Sequence, residues 1–233
     1  MTFKDRLVAV EERIAAACRR ANRERGEVRL MAVSKTHPAS AICEAVDVGL
    51  TLFGENRVQE FDAKRAAVPE GVEVHLIGHL QSNKAGRAAG IFSAVDTVDS
   101  LRLLERLNAA AEPTKRRLPV LLEIKLSEEA TKTGFDPAGV ELQQALERAA
   151  GFSHLEMRGL MTIAPFDGKP ETTRACFRQL RELREELTRQ HPRLDLRELS
   201  MGMSGDFELA IEEGSTLVRI GTALFGAREY AAK

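Results

Sequence analysis

The sequence is poor in cysteine, has no long apolar runs and carries almost no net charge, and each shortage excludes a class of protein. Its three cysteines, Cys18, Cys43 and Cys176, are odd in number, far apart and free of CxxC spacing. This usage argues against a disulfide framework or a zinc site and favours a reducing compartment. The net charge is −1, from 34 basic and 35 acidic residues. Nucleic acid and anionic membranes are therefore not expected as partners, and any anion must be captured locally.

Membrane insertion and export are not expected either. No apolar run approaches the ~20 residues that a membrane-spanning helix needs. The amino terminus, MTFKDRLVAVEERI, is charged throughout and has no apolar core of the kind found in signal peptides. We therefore expect a soluble, cytoplasmic protein.

What the chain does have is the length and apolar content for one large domain. It has 233 residues, of which 43% are hydrophobic, and this is enough for a sizeable core. There is no Pro/Ser-rich linker and no low-complexity segment. Residues 1–233 are therefore predicted to form a single domain.

An amphipathic helix is predicted at the amino terminus, because apolar residues from Phe3 to Ala21 recur at steps of three and four. Thr2 is expected to cap this helix, which is expected to end near Gly26. It precedes the first strand, so it should lie across the fold rather than belong to a strand–helix repeat.

Short apolar strands then alternate with helices. The predicted strands are 30–34, 51–53, 74–77, 92–98, 119–126, 158–163, 196–200 and 217–220. About eight such units, at intervals of roughly 20–40 residues, are what a (β/α)₈ barrel requires. The predicted fold class is therefore α/β, a single TIM-type barrel with an extra N-terminal helix. Periodicity alone does not show that the sheet closes, so a doubly wound open sheet is the alternative.

Three helix starts are predicted from capping residues. Ser100 is expected to cap the helix that follows the fourth strand. Asp136 and Pro137 should supply an N-cap and a first-turn proline to the helix after the fifth strand. Ser204 should open a short helix over residues 204–213.

Polar residues gather at the carboxyl ends of the predicted strands, and a barrel brings those ends together on one face. In the run LMAVSKTHP, Lys35 follows an apolar strand directly. A lysine held against apolar walls is a candidate imine-forming amine, because burial disfavours its charged form. The alternative is a solvated lysine that only closes a strand. Lys125, placed in the fifth strand, is the stronger rival, whereas Lys132 in a polar loop is expected to be solvated.

Two further strand ends carry candidate side chains. Asn56, in the run FGEN, either caps a helix or hydrogen-bonds a ligand. His37 and His79 either line the pocket or are satisfied structural histidines. Cysteine and histidine nowhere show metal-ligand spacing, and no Ser–His–Asp or nucleotide-binding glycine motif is evident.

The run from 194 to 226 predicts a phosphate site. Ser204 and Gly205 should open a helix whose unpaired N–H groups attract an anion. Gly221 and Thr222, just beyond the eighth strand, add a backbone N–H and a hydroxyl. Phosphate commonly binds between the last two strand–helix loops of such barrels. The alternative is that Ser204 only caps its helix and Gly221 only permits a turn.

Arg219 lies inside the eighth strand, where an arginine is seldom left unpaired. It either forms a structural ion pair, for example with Glu123 or Glu198, or faces the pocket and donates to a ligand. A strand-end amine, a phosphate site and an inward arginine together suit pyridoxal 5′-phosphate (PLP). An arginine at the pyridine nitrogen would keep that nitrogen unprotonated and weaken the ring as an electron sink.

A resemblance to a known family covers nearly the whole chain. It is carried by the runs MAVSKTHP, FGENRVQE, HLIGHLQSNK, RGLMTI and LSMGMSGDFELAIEEGSTLVRIGTALFG. In these the sequence resembles the pyridoxal phosphate homeostasis proteins, which are similar to the barrel domain of alanine racemase, of fold type III. The resemblance implies that Lys35 carries PLP as an internal aldimine. It also implies that Asn56 lines the cofactor, that Ser204, Gly221 and Thr222 hold the phosphate, that Arg219 faces the pyridine nitrogen, and that Ser200 and Met201 flank the site.

The family is described as controlling the supply of PLP and amino-acid balance, without an established catalytic activity. A racemase needs two positioned acid–base groups. In alanine racemase the second is a tyrosine from another domain of a partner subunit, whereas the only tyrosine here is Tyr230, near the carboxyl terminus. We therefore expect a non-catalytic PLP-binding carrier.

Two other functions stay open. One is a weak amino-acid racemase that uses Lys35 with a histidine or water, and the other is a cofactor-free Schiff-base aldolase whose phosphate site holds a sugar phosphate. PLP-accepting apo-enzymes are expected as transient partners of a carrier. A monomer is expected, because no heptad seam or apolar surface stripe is evident.

Overall fold

Eight parallel strands form a closed barrel in the computed structural model, which describes residues 1–127, 133–165 and 169–226. The strands pair in sequence order, and β1 pairs with β8 to complete the cylinder. They are β1 (Arg29–Val33), β2 (Leu52–Glu55), β3 (Glu73–Leu76), β4 (Ala94–Val98), β5 (Leu118–Glu123), β6 (Leu155–Met161), β7 (Glu198–Met203) and β8 (Leu217–Ile220). The predicted TIM-type barrel is confirmed, and the open sheet is excluded.

The described residues also form nine α-helices around this barrel. They are α1 (Phe3–Arg20), α2 (Ala39–Asp47), α3 (Val58–Lys64), α4 (Ala85–Ile91), α5 (Leu101–Ala111), α6 (Val140–Glu147), α7 (Pro170–Gln190), α8 (Phe207–Glu212) and α9 (Thr222–Phe225). The first precedes β1 and packs against α8 and α9, so it lies outside the strand–helix repeat as predicted. In this part of the chain, no helix is both long and apolar enough to cross a membrane.

The ends of α1 are set by local chemistry. Thr2 caps the helix as predicted, because its Oγ1 accepts from the Asp5 N–H at 3.1 Å while Asp5 Oδ2 accepts from the Thr2 N–H at 2.7 Å. The prediction that the helix runs to near Gly26 is wrong. Asn22 adopts a left-handed backbone with φ of 53°, which ends the helix after Arg20.

The other predicted helix starts differ in outcome. Ser100 caps α5 as predicted, with its hydroxyl accepting from the Leu103 N–H at 3.3 Å. Asp136 does not cap α6, because its Oδ1 accepts from the nearby Ala138 N–H at 2.9 Å in a separate turn. The helix begins only at Val140.

Two layers of apolar side chains pack on either side of the strands. The larger layer fills the space between strands and helices, while Met31, Leu52 and Leu217 form a small cluster inside the cylinder. Val74 and Leu76 belong to the outer layer, so the alternating His75 points inward. His75 is buried with Asp96 of the neighbouring strand. The barrel interior therefore combines apolar contacts with buried charge.

Candidate functional site

A cavity of about 390 Å³ opens at the carboxyl ends of the strands. It is lined by Val33, Lys35, Asn56, Ile77, Ile163, Met203, Ser204, Gly205, Arg219, Gly221 and Thr222. Six of the eight residues predicted from the sequence are therefore brought together: Lys35, Asn56, Ser204, Arg219, Gly221 and Thr222. The size lies within the range of small-molecule pockets, which is roughly 300–1,000 Å³.

The other two predicted residues do not line this cavity. Ser200 is fully buried, and its Oγ accepts from Arg219 Nη1 at 2.7 Å. Met201 is also fully buried and packs in the hydrophobic core outside the barrel. Met203, two residues further along β7, reaches the cavity in its place.

Four lining residues were not predicted from the sequence, namely Val33, Ile77, Ile163 and Met203, whereas Gly205 was predicted as part of the phosphate site. Val33, Ile77 and Ile163 each stand at or next to the last position of a predicted strand, and Met203 lies in the run predicted to bind phosphate. Only their position at strand ends could have identified these residues. Their apolar side chains could not, because an apolar residue at a strand end is also typical of ordinary core packing. Val33, Ile77 and Ile163 line the same cavity as Lys35. They supply the apolar wall that was expected beside an imine-forming amine.

Lys35 lies in a tight turn that follows β1. The His37 N–H donates to the Ser34 carbonyl at 3.1 Å, and Thr36 adopts a left-handed backbone with φ of 68°. Lys35 itself is half-buried. The turn thus places the lysine at the mouth of the barrel, as the sequence predicted.

The predicted phosphate site has a different local structure. Ser204 and Gly205 do not open a helix, because residues 204–206 form a turn and α8 begins at Phe207. Asp206 stabilises this turn by accepting from the Met203 N–H through Oδ1 at 2.6 Å. The helix-start prediction for Ser204 is therefore wrong.

Backbone donors nevertheless converge on Ser204 from the opposite loop. The N–H groups of Gly221 and Ala223 both point at Ser204 Oγ, at 3.3 Å and 3.4 Å. These bonds are long, and Ser204 and Gly221 line the cavity together with Thr222, whereas Ala223 is not among the lining residues. Backbone N–H groups that point toward the same position are also suited to donate hydrogen bonds to a phosphate oxygen.

Asn56 is held beside the cavity by a close backbone approach. A Cβ added at Gly78 would lie 2.3 Å from the Asn56 carbonyl oxygen, so only glycine fits at residue 78. The Ile77 N–H donates to the Glu55 carbonyl at 2.9 Å in the same place. The strand-end glycine after β3 therefore fixes the backbone that carries Asn56.

Arg219 is 5% exposed and hydrogen-bonds two oxygens. Nη1 donates to Ser200 Oγ at 2.7 Å, and Nη2 donates to the Thr162 carbonyl at 2.9 Å. Among the described residues it has no ion pair within 4.0 Å, and Glu198 instead lies 4.0 Å from Arg158. The ion-pair alternative with Glu123 or Glu198 is therefore wrong; Arg219 lines the cavity, and its donation to a ligand stays a prediction.

Acidic groups surround this arginine without pairing with it. Burial lowers the pKa of Arg219, and the charges of Asp96, Asp206 and Glu123 oppose that effect. Burial raises the pKa of Glu123 to about 7, with the charge of Asp99 adding to the rise. Arg219 is therefore a buried cation whose charge is partly balanced by three carboxyl groups at a distance, those of Asp96, Asp206 and Glu123.

The competing candidates lie elsewhere. His79 Nδ1 is 3.0 Å from Asp99 Oδ2, and His37 stacks on Phe225 with ring centroids 4.8 Å apart. The prediction that Lys125 lies in the fifth strand is wrong, because β5 ends at Glu123 and Lys125 borders a separate cavity.

Two residues named in the sequence analysis fall outside the described part of the chain. Lys132 and Tyr230 lie outside the described residues. Within those that are described, no group of three or more histidine, cysteine or acidic side chains is placed to hold a metal ion.

Comparison with known proteins identifies the family of this chain. The fold and site define a class: (β/α)₈ barrels with a lysine-bearing pocket at the carboxyl ends of the strands. The family model described as alanine racemase, N-terminal domain, matches residues 6–229. A pyridoxal phosphate homeostasis protein of Aquifex aeolicus is 43% identical over 99% of this chain and 100% of that protein. One from Escherichia coli K12 is 42% identical over 97% of each chain.

A solved structure is similar over the same length. PipY of Synechococcus elongatus PCC7942, determined with PLP bound, is 44% identical with a TM-score of 0.82, and the match covers 93% of this chain and all of PipY. The chain therefore belongs to the alanine racemase N-terminal domain family and, within it, to the pyridoxal phosphate homeostasis proteins.

Proposed function

We propose that this chain binds PLP in the cavity at the barrel mouth and takes part in PLP homeostasis. The proposal rests on one observation: Lys35 lines the same cavity of about 390 Å³ as Ser204 and Gly221, where a backbone N–H points at the Ser204 hydroxyl. An aldehyde with a phosphate tail needs an amine and an anion site at once. The PLP-bound structure of PipY, 44% identical to this chain, supports the same ligand.

Each lining residue has a part in this proposal. The Lys35 amine condenses with the PLP aldehyde, releases one water molecule and leaves a Schiff base. Ser204, Gly221 and Thr222 hold the phosphate through a hydroxyl, a backbone N–H and a second hydroxyl. Asn56 lines the cofactor, and Arg219 donates to the pyridine nitrogen.

We further propose that the site holds PLP without catalytic turnover. PLP catalysis draws electrons into a protonated ring, and an arginine at the pyridine nitrogen opposes that protonation. Racemisation also needs a second acid–base group beside Lys35. In the described part of the chain, the cavity lining includes neither His37 nor His79. These features favour a holding site from which apo-enzymes receive PLP, and we propose that the protein acts there as a monomer.

The experiment that tests binding is reductive trapping. Wild-type protein mixed with PLP is expected to show imine absorbance in the visible range, and borohydride should fix one adduct, mapped by peptide mass to Lys35. Lys35→Ala should abolish the absorbance, whereas Lys4→Ala, an exposed lysine on α1, should retain it. An adduct on another residue, or none, contradicts the proposal.

The absence of turnover is tested separately. Amino acids carrying deuterium at the α-carbon should lose it no faster with loaded protein than with free PLP. Deuterium loss well above that background, with scrambled chirality, would establish the racemase alternative instead. Transfer is tested by mixing loaded protein with a PLP-requiring apo-enzyme and following recovery of that enzyme's activity.

A further inference from the structure

A largely buried lysine side chain, that of Lys64, lies against the backbone of the turn that carries Lys35. Lys64 is the last residue of α3, and its side chain is 11% exposed. Its Nζ donates to the His37 carbonyl at 2.8 Å and to the Ser34 carbonyl at 3.2 Å. An ammonium has three N–H donors, so two are spent on the turn itself.

The ammonium of Lys64 also contacts two carboxylates, a close one on Glu55 at the end of β2 and a more distant one on Glu60, whose Oε1 is 3.5 Å away. Lys64 Nζ is 2.8 Å from Glu55 Oε1, and Glu55 is fully buried. The same carboxylate oxygen accepts from Ser34 Oγ at 2.5 Å. Burial raises the pKa of Glu55, and the hydrogen bonds from Lys64 and Ser34 oppose the rise. We call Ser34, His37, Glu55 and Lys64 the Lys64 cluster.

This cluster restrains a turn whose backbone is intrinsically unfavourable. Thr36 holds a left-handed conformation, which is costly for a β-branched residue. Its N–H donates to Glu60 Oε1, on the same helix as Lys64. The three neighbours of Lys35 in the turn, Ser34, Thr36 and His37, are thus each anchored to side chains of β2 or α3.

We propose that Lys64 and Glu55 are positioning residues that fix the direction in which Lys35 presents its amine to the cavity. Neither residue lines the cavity, so both act through the turn. Without the two carbonyl contacts, the turn relaxes toward conformations that suit Thr36 better and redirect Lys35. The inference rests on the proposed Schiff base with PLP, and it predicts that the covalent step depends on the cluster while phosphate recognition does not.

The test uses a double variant, Lys64→Met with Glu55→Gln. Lys64→Met alone would leave a buried carboxylate without its cation, whereas the double variant removes both charges and keeps similar volumes. Arg87→Met is the matched control, because it breaks an exposed ion pair with Asp62, another residue of α3. Folding of each variant is checked by urea unfolding before binding is measured.

Two readouts separate positioning from general damage. In unloaded protein, hydrogen exchange of the segment 30–38 should be at least tenfold faster in the double variant than in the control. The dissociation constant for PLP should rise at least tenfold, while that for pyridoxine 5′-phosphate, which has an alcohol in place of the aldehyde, should change less than twofold.

The outcomes distinguish this inference from the proposed function. A folded double variant with wild-type exchange and wild-type PLP affinity overturns the positioning role. Equal weakening for PLP and pyridoxine 5′-phosphate also overturns it, because the defect then lies in the whole pocket. Faster exchange in the double variant, combined with no adduct on Lys35 in wild type, supports the anchoring of the turn and refutes the proposed function alone.

Discussion

Raising the pH should destabilise this barrel through His75, whose ring is buried between two carboxyl groups. His75 is 4% exposed, with Nδ1 3.1 Å from Asp96 Oδ1 and Nε2 3.7 Å from Glu73 Oε2. Burial by itself lowers the pKa of His75. The charge of Asp96 and the contacts with Asp96 and Glu73 outweigh burial and raise the pKa to about 9.

The size of the effect follows from this shift. A rise from 6.5 to about 9 corresponds to about 3 kcal/mol of folding free energy, at ~1.4 kcal/mol per pKa unit. The folded protein binds the proton more tightly than the unfolded chain does. The stabilisation is therefore fully present below pH 6.5, the unfolded value, and is lost as the pH rises through about 9.

Urea unfolding of wild type and His75→Gln, at about pH 6 and about pH 10, measures this contribution. Wild type should lose about 3 kcal/mol more than the variant over that interval, because the comparison cancels the other titrating groups. His191→Gln, at the end of α7, is the matched control for a histidine-to-glutamine substitution. Equal losses in wild type and His75→Gln would refute the assignment of a buried imidazolium.

Three further predictions concern the mouth and the strands beneath it. Burial raises the pKa of Glu123 from 4.5 to about 7, so stability should fall as the pH rises across that window. Glu123→Gln should remove most of the fall, measured by urea unfolding at both ends of the window. Gly78→Ala should cost about 2 kcal/mol or more and weaken PLP binding, since its Cβ would lie 2.3 Å from the Asn56 carbonyl oxygen. Gly90→Ala, with open space in α4, should instead stabilise by about 1 kcal/mol. Ser215→Ala should cost about 1–2 kcal/mol in thermal or urea unfolding, because its buried hydroxyl donates to a β7 carbonyl at 2.8 Å.

The barrel could be predicted because its pattern is repeated along the chain. Each strand is a short apolar run followed by a helix, and β8 has the predicted bounds of Leu217–Ile220. The grouping of Lys35 with Gly221 and Thr222 followed from the same pattern, because a closed parallel barrel puts all strand ends on one face. These features depend on local periodicity and on topology, both of which a single sequence carries.

Features that depend on side-chain competition could not be predicted. Ser204 has the residue type of a helix cap, but the Met203 N–H donates to Asp206 Oδ1 in a turn, and the helix begins only at Phe207. The contact between Lys64 and the Lys35 turn joins residues about thirty positions apart, and no spacing rule links them. Met203 rather than Met201 reaches the cavity where the register of β7 shifts between Ser200 and Met203 and Gly202 has a φ of 96°, and no spacing in the sequence predicts this irregularity.

The charges around Arg219 give a physical reason for a holding site. In the described chain, its guanidinium hydrogen-bonds only neutral oxygens, those of Ser200 and Thr162. The carboxyl groups of Asp96, Asp206 and Glu123 act on it from a distance and offset part of the cost of burial. A carboxylate at the pyridine nitrogen would favour the protonated ring that PLP catalysis uses. An arginine buried without a paired carboxylate instead suits a neutral acceptor, and this electrostatic difference is one argument behind the holding site that we propose.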